Sequence, residues 1–401
     1  MHDAIIVGAR CAGAPVAMLL ARRGYKPLVI DRDEFPSDMP TSTHMIWHTG
    51  VARLKNWGLL ERLTSTGCPA MADVNLDLGE FVLSGRPPPA GDVACCYSPR
   101  RYVLDKLLVD AAVEAGAELR RGSVSDLLFE DNRVVGVRYS DRGKSPGEAR
   151  AKIVIGADGA NSTIAKMVGA ESYNERPHLA GNIYAYFRSL EVKGIEFYPR
   201  PGRMIYAWST NDGMSVVGMC CRYEDYHRLA EDPENRIYAE LRAFVPALDA
   251  RLRGARREGP WLKAATRNFC RKPNGPGWAL VGDAGLTMDA ISAAGITNAF
   301  RDADYLAEAA QKTLSGEMTF DAALAQYEQQ RNETSLPMYE FTCEMAKLDP
   351  PPESVIALLV ALRDNPEAMS AYFGVFAQTV RVQDFFAPEN LSRIMESAAA
   401  N

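Results

Sequence analysis

The chain has 401 residues, 45 basic and 51 acidic, for a net charge of −6, and 47% of it is hydrophobic. That length allows a substantial core and more than one lobe, while the acidic balance argues against nucleic acid as the main partner. The longest apolar runs, such as Val355–Leu362, are far too short to cross a bilayer and no polybasic block is present, which excludes an integral membrane protein.

The eight cysteines include the adjacent pairs Cys95-Cys96 and Cys220-Cys221 but no CxxC, so they read as reduced, buried thiols, and no metal is expected. Met1-His2-Asp3 leads straight into the first strand, and with the reduced cysteines this gives a cytoplasmic expectation.

Ala4–Val7 is a continuous apolar run, as expected of a parallel strand covered on both faces. The turn Gly8-Ala9-Arg10-Cys11-Ala12-Gly13 follows, then a helix over Ala14–Arg23 closed by Gly24, then a second buried strand, Lys26–Ile30, ending at Asp31-Arg32. This is a βαβ unit carrying a variant of the GxGxxG dinucleotide fingerprint. Gly8 permits the tight turn and Gly13 the close approach of helix to strand. Asp31 stands where an acid accepts from adenosine ribose hydroxyls, and Arg10 takes the place of the middle glycine. The next helix has apolar residues at helical spacing over Arg101–Ala115 and opens with Arg101-Tyr102-Val103-Leu104-Asp105. Ser123–Tyr139 reads as strands about an Asp131-Asn132 hairpin turn. Ala151–Ile155 is another buried strand, entering Gly156-Ala157-Asp158-Gly159-Ala160-Asn161-Ser162.

From about Gly181 the period changes to alternation, in Asn182–Arg188, Met204–Ser209 and Met214–Cys220, which predicts an antiparallel sheet with one face free to cover something. Tyr184 and Tyr186 share one face of their strand, and Tyr206 and Trp208 share one face of theirs; both pairs are candidate substrate-binding residues. Glu224–Phe244 is predicted as one helix. Trp278 returns the chain to the first lobe, and after Thr319 the pattern is mostly helical. The expected division is a discontinuous first domain of 1–75, 98–174 and 264–333, a sheet domain of 76–97 and 175–263, and a helical region of 334–401, suited to a lid or a homodimer contact.

The most informative stretch is Trp278–Asp304. A short strand runs into Gly282-Asp283, then a small-residue turn, then a helix opening near Gly295-Ile296. An aspartate at the carboxyl end of a strand is placed to hold a hydroxylated chain, and the helix N-terminus beyond it stabilises negative charge. Together they suit a flavin, the acid for the ribityl chain and the helix end for the reduced, anionic ring.

Four segments in order, VGARCAG, RYVLD, IGADGANS and LVGDAG, resemble those of the flavin-dependent monooxygenases with the p-hydroxybenzoate hydroxylase fold. The resemblance implies an α/β fold with a Rossmann-like FAD-binding domain of glutathione-reductase type, an inserted antiparallel substrate sheet and a helical C-terminal region. It assigns Gly8, Gly13 and Asp31 to the adenosine diphosphate end of FAD, with Arg10 and Arg32 beside them. Arg101 would contact the cofactor. Asp158 belongs to a motif associated with both FAD and NAD(P)H. Gly282 and Asp283 would bind the ribityl chain, and Gly295 and Ile296 would lie by the pyrimidine edge of the flavin. The implied reaction is reduction of FAD by NAD(P)H, formation of a flavin C4a-hydroperoxide with O2, and oxygen transfer to a small, aromatic or hydrophobic substrate. His44 and His48 are candidates for acid–base work near neutral pH.

Asp289-Ala290 departs from the hydroxylase pattern, which usually has proline there, toward the flavin-dependent halogenases and geranylgeranyl reductases, which pair an acid or amide with proline. Asp289 is accordingly a candidate to bind substrate, to relay protons, or only to cap the helix that follows. A halogenase needs a lysine and a Trp-x-Trp-x-Ile-Pro segment, of which only Tyr206-Ala207-Trp208 is found. The reductases' cysteine-bearing signature is replaced by Pro36-Ser37-Asp38-Met39-Pro40-Thr41. A non-catalytic FAD-fold binding protein is the remaining alternative, against which the intact phosphate-site glycines and Asp283 speak.

Overall fold

The computed structural model describes residues 1–141 and 145–399. Its first sheet is the doubly covered kind that continuous apolar runs demand. Strands Trp278–Leu280, Gly147–Gly156, His2–Val7, Pro27–Asp31 and Glu118–Arg121 lie side by side in that order, all parallel. On one face pack helices Gly13–Arg22, Arg101–Glu114 and Gly295–Leu314, burying Ala14, Ala17, Leu104, Leu108, Phe300 and Ala303. The other face is covered by strands Ser123–Glu130 and Arg133–Ser140, through Leu127, Val134 and Val137. Asp131 and Asn132 take φ of 47° and 61° in the turn between them, the left-handed pair a two-residue hairpin requires.

The second sheet has seven strands in the order Arg256–Ala265, Ala180–Arg188, Met214–Arg222, Arg203–Ser209, Ile195–Arg200, Val74–Asp77 and Val82–Gly85. Its alternation sorts the side chains by face. Ile183, Ala185, Phe187, Ile205 and Val217 meet Leu229, Ile237, Leu241 and Leu248 of helices Tyr223–Glu231, Pro233–Phe244 and Pro246–Leu252. Tyr184, Tyr186, Tyr206, Trp208 and Val216 point the other way, into a core shared with Trp47, Met338, Leu362 and Phe373. Both faces are therefore covered. The single helix expected over Glu224–Phe244 is broken at Asp232, whose side chain accepts from the Asn235 amide and caps the second piece, which starts at Pro233.

The C-terminal region supplies helices Phe320–Ala346, Glu353–Arg363, Pro366–Ala377 and Pro388–Ala399, which close over the aromatic face of the second sheet. A small third sheet, Leu286–Thr287, Asn268–Arg271 and Ser172–Arg176, ties the two lobes together. No helix among the described residues is long and apolar enough to cross a membrane, and all eight cysteines are free.

Candidate functional site

Three of the four segments singled out in the sequence meet at one place. Gly8 takes φ of +102°, and a Cβ there would lie 2.4 Å from the Ala157 carbonyl oxygen of the IGADGANS turn. A Cβ on Gly13 would lie 1.8 Å from the carbonyl oxygen of Gly8, and one on Gly282 would lie 2.9 Å from the Ala12 methyl. Side chains are excluded at Gly8 and Gly13 because backbone meets backbone, and at Gly282 because the Ala12 methyl fills the space. The helix starting at Gly13 has no side-chain cap; its Ala14 and Val16 amides donate to the carbonyls of Arg10 and Ala12, and an anion suits that helix end.

Asp31 is buried at the end of its strand, its two oxygens accepting from the amides of Ala9 (2.6 Å) and Asp33 (2.9 Å); burial raises its pKa against those bonds. Arg32 beside it is exposed. Arg10 turns toward Asp33 (2.9 Å), Asp105 (2.5 Å) and the Ser37 hydroxyl (2.9 Å), stitching the first turn to the loop after Asp31. Asp105, fully buried, also takes both Nε and Nη2 of Arg101 at 3.0 and 3.1 Å. This fork and the Arg10 contact explain the acid in RYVLD. Asp158 accepts from the Ser162 hydroxyl (2.5 Å) and the amides of Thr163 (2.6 Å) and Ile164 (3.2 Å), so its carboxylate shapes its own turn.

Asp283 is different. Every residue from Gly282 to Met288 is buried except Asp283, whose side chain is exposed to solvent. Protein nevertheless surrounds it closely enough that desolvation raises its pKa to about 6, against the opposing pull of Arg101. A carboxylate that is open to solvent and ringed by protein lies on the floor of a cleft. Gly295 is also exposed, a Cβ there would meet nothing within 4 Å, and it opens a 20-residue helix with no side-chain cap. Ile296, next to it, is buried. An acceptor for a hydroxylated chain, a free helix N-terminus and a glycine turn stripped of side chains fit FAD on this chain's own geometry.

The aromatic face of the second sheet holds the loop that runs alongside. Tyr184 donates to the carbonyls of Pro40 and of Ser42 (3.1 Å), and the Tyr186 hydroxyl bonds His44 Nε2. Trp208 Nε1 donates to the Ser98 hydroxyl (3.1 Å). Tyr206 stacks on Trp208 with centroids 4.5 Å apart and donates to Asn182 Oδ1 at 2.8 Å. All four polar tips are taken by protein. Arg100 lies 3.8 Å above the Tyr186 ring, and sequence reasoning missed it because it adjoins Arg101 with no spacing signal of its own.

His44 is buried with φ of 69°; burial, Arg101 and Arg100 hold its pKa far below the ordinary histidine value, so it is neutral. His48 is fully buried, and burial lowers its pKa to about 4. The Ala94 backbone beside the ring opposes that shift only weakly, and neither ring nitrogen of His48 makes a well-formed hydrogen bond among the described residues. Asp289 is buried, caps the short turn Ala290–Ser292 by accepting from the Ile291 amide (3.1 Å), and is pushed by desolvation to a pKa of about 7. Its own amide donates to Asn268 Oδ1 at 2.7 Å, a buried partner that nothing in the sequence marked. The structure thus brings Gly8, Gly13, Gly282 and the IGADGANS turn together, and sets Tyr184, Tyr186, Tyr206 and Trp208 in the core beneath the C-terminal helices.

The chain matches the FAD binding domain family over residues 1–342. It is 23% identical over 338 residues to a 1H-pyrrole-2-carbonyl-[peptidyl-carrier protein] brominase of Pseudoalteromonas luteoviolacea, covering 79% of this chain and 78% of that one. It is likewise 23% identical over 345 residues to digeranylgeranylglycerophospholipid reductase 1 of Methanococcoides burtonii, covering 82% and 78%. Among solved structures, a probable FAD-dependent monooxygenase of Pseudomonas aeruginosa, PqsL, superposes with a TM-score of 0.74 at 17% identity, over 92% of this chain and 98% of that one. A halogenase, a reductase and a probable monooxygenase thus share this fold, and with most of its length matched by one family the chain belongs to the FAD binding domain flavoproteins.

Proposed function

We propose that the chain is an FAD-dependent monooxygenase that draws electrons from NAD(P)H and uses O2 to hydroxylate or otherwise oxidise a small, aromatic or hydrophobic molecule. Bound FAD supplies the electron transfer and the oxygen activation. The chain's residues then have separate tasks. Gly8, Gly13, Asp31 and the amides around them hold the nucleotide end, Asp283 the ribityl chain, and the helix opening at Gly295 the charge that develops on the ring. In this reading 1–75, 98–174 and 264–333 carry the cofactor, 76–97 and 175–263 cover the substrate, and 334–401 closes the space against water.

The observation that carries the reading is the character of the aromatic face of the second sheet. Tyr184, Tyr186, Tyr206 and Trp208 present rings whose polar atoms are already bonded, which favours an apolar, aromatic substrate. The buried acid Asp289, with a pKa of about 7, is poised to give or take a proton at neutral pH. Of the halogenases' Trp-x-Trp-x-Ile-Pro segment only Tyr206-Ala207-Trp208 is present, which weighs against the halogenase alternative despite the brominase relative. Reduction of an apolar substrate is the second reading, favoured by the archaeal reductase relative and by the acid at position 289. The test is oxidation of NADH and NADPH by the FAD-loaded protein, with and without air, across phenols, indoles and larger aromatics. Substrate-stimulated, oxygen-dependent turnover is expected; turnover only with bromide or chloride, or equally fast without oxygen, rejects the monooxygenase.

A further inference from the structure

Tyr327 and Arg331 stand one helical turn apart on helix Phe320–Ala346, and both side chains end on the backbone of the segment carrying Asp283. The Tyr327 hydroxyl donates to the Leu280 carbonyl at 2.7 Å, just before the Gly282-Asp283 turn. Arg331 Nη1 donates to the Gly285 carbonyl at 3.3 Å, just after it, and to the Arg271 carbonyl at 3.1 Å. Its Nη2 donates to the Tyr173 hydroxyl (2.7 Å) and to Asn332 Oδ1 (2.8 Å), and Nε to the same Asn332 oxygen (3.1 Å).

Every guanidinium N–H therefore has an acceptor, and none of these acceptors is a carboxylate. Arg331 is completely buried, and no ion pair to it is found among the described residues. Burying a cation without an anion is costly, so the fork is held there by what it fixes. Gly285 fits the same picture: a Cβ there would sit 3.1 Å from Arg331 Nη1, so a larger residue would crowd the guanidinium off the carbonyl. Between the two anchored carbonyls the chain turns tightly, with Gly282 at φ of 61° and the Gly285 amide donating back to the Gly282 carbonyl at 2.9 Å. Asp283 projects from the middle of that turn.

We infer that Tyr327 and Arg331 form a clamp that sets the position of Asp283 toward FAD, acting through the carbonyls of Leu280 and Gly285. They are positioning residues, reaching the cofactor only through the turn, and they make the helix outside the nucleotide-binding core a determinant of flavin affinity. The inference rests on Asp283 being a cofactor contact, and the test separates the two ideas.

Apoprotein is titrated with FAD, following flavin fluorescence, for the parent, Tyr327→Phe, Arg331→Lys, Asp283→Ala and each clamp variant combined with Asp283→Ala; circular dichroism melts are recorded for each apoprotein. Loss of one neutral hydrogen bond corresponds to about a fivefold weakening, so Tyr327→Phe is expected to raise the FAD Kd by about that factor and Arg331→Lys by more. In the Asp283→Ala background the same changes are expected to alter Kd less than about twofold, because the group they position is gone. Asp283→Ala with unchanged FAD affinity would remove the assignment of Asp283 itself. A weakened Asp283→Ala with equal clamp effects in both backgrounds, or clamp variants that lower the apoprotein melt yet leave Kd unchanged, would overturn the clamp alone. Should Arg331→Lys fail to fold, Tyr327→Phe, which deletes one oxygen, decides the matter.

Discussion

At the scale of single residues, two buried ionisable groups make opposite demands on pH. The Asp289 carboxyl holds its proton more tightly in the folded protein, at about 7, than in the unfolded chain, where the ordinary value is 3.8. Folding stability is thus unaffected by this group below about pH 4, declines as pH rises toward 7, and stays level above it. Asp289→Asn keeps an acceptor for the Ile291 amide and removes the penalty. Its stability relative to the parent, measured by urea unfolding, is expected to rise between those limits by up to about 4 kcal/mol. A flat difference would mean that the carboxylate is solvated. If Asp289 also relays protons, the same variant loses the limb of the activity profile near neutrality; an unchanged profile would confine Asp289 to capping.

His48 works in the other direction. Its folded pKa of about 4 lies below the ordinary 6.5, so stability is complete above 6.5 and falls as pH drops through that value toward 4. The expected slope is about 1.4 kcal/mol per pH unit from this one proton. His48→Asn should flatten the acid limb of an unfolding series by that amount, and an unaltered limb would show that the ring is not kept neutral by burial.

At the scale of elements, the glycine turn, the IGADGANS turn and the GD segment are one construction, because Gly8 meets the Ala157 backbone and Gly282 meets the Ala12 methyl. Gly13→Ala would place a methyl 1.8 Å from the Gly8 carbonyl oxygen, so the helix must withdraw from its strand. The purified variant is expected to be colourless and to refuse added FAD, and recovery of normal yellow protein would contradict the packing described. This construction was legible in the sequence: small residues at fixed places between a buried strand and a helix leave few alternatives. The hairpin at Asp131-Asn132 and the alternating strands of the second sheet were legible for the same reason, since their signals are local. What escaped was non-local. Ile195–Phe197 pairs in parallel with Val74–Leu76, a partner more than a hundred residues earlier, and no periodicity announces it. Arg331 carries no local signal, and only the fold buries it against the GD turn. Arg10 stood where a phosphate contact is expected, and only the folded chain shows Asp33 and Asp105 converging on it.

At the scale of the whole molecule, the C-terminal helices are packed into the fold rather than appended to it. Gln378, at the end of helix Pro366–Ala377, donates to Asn298 Oδ1 at 2.9 Å in the first turn of helix Gly295–Leu314, and Trp47 Nε1 donates to the Ser292 carbonyl at 3.1 Å. Aromatic sheet, inner loop and C-terminal helices together pack into one apolar core. The proposed oxygen transfer rests on the aromatic face of the second sheet and the near-neutral Asp289. The most direct measurement is turnover under 18O2 with the FAD-loaded protein and NAD(P)H, followed by mass spectrometry of the product. One labelled oxygen atom in the product is the predicted result; a product that is halogenated, or reduced without label, would contradict it.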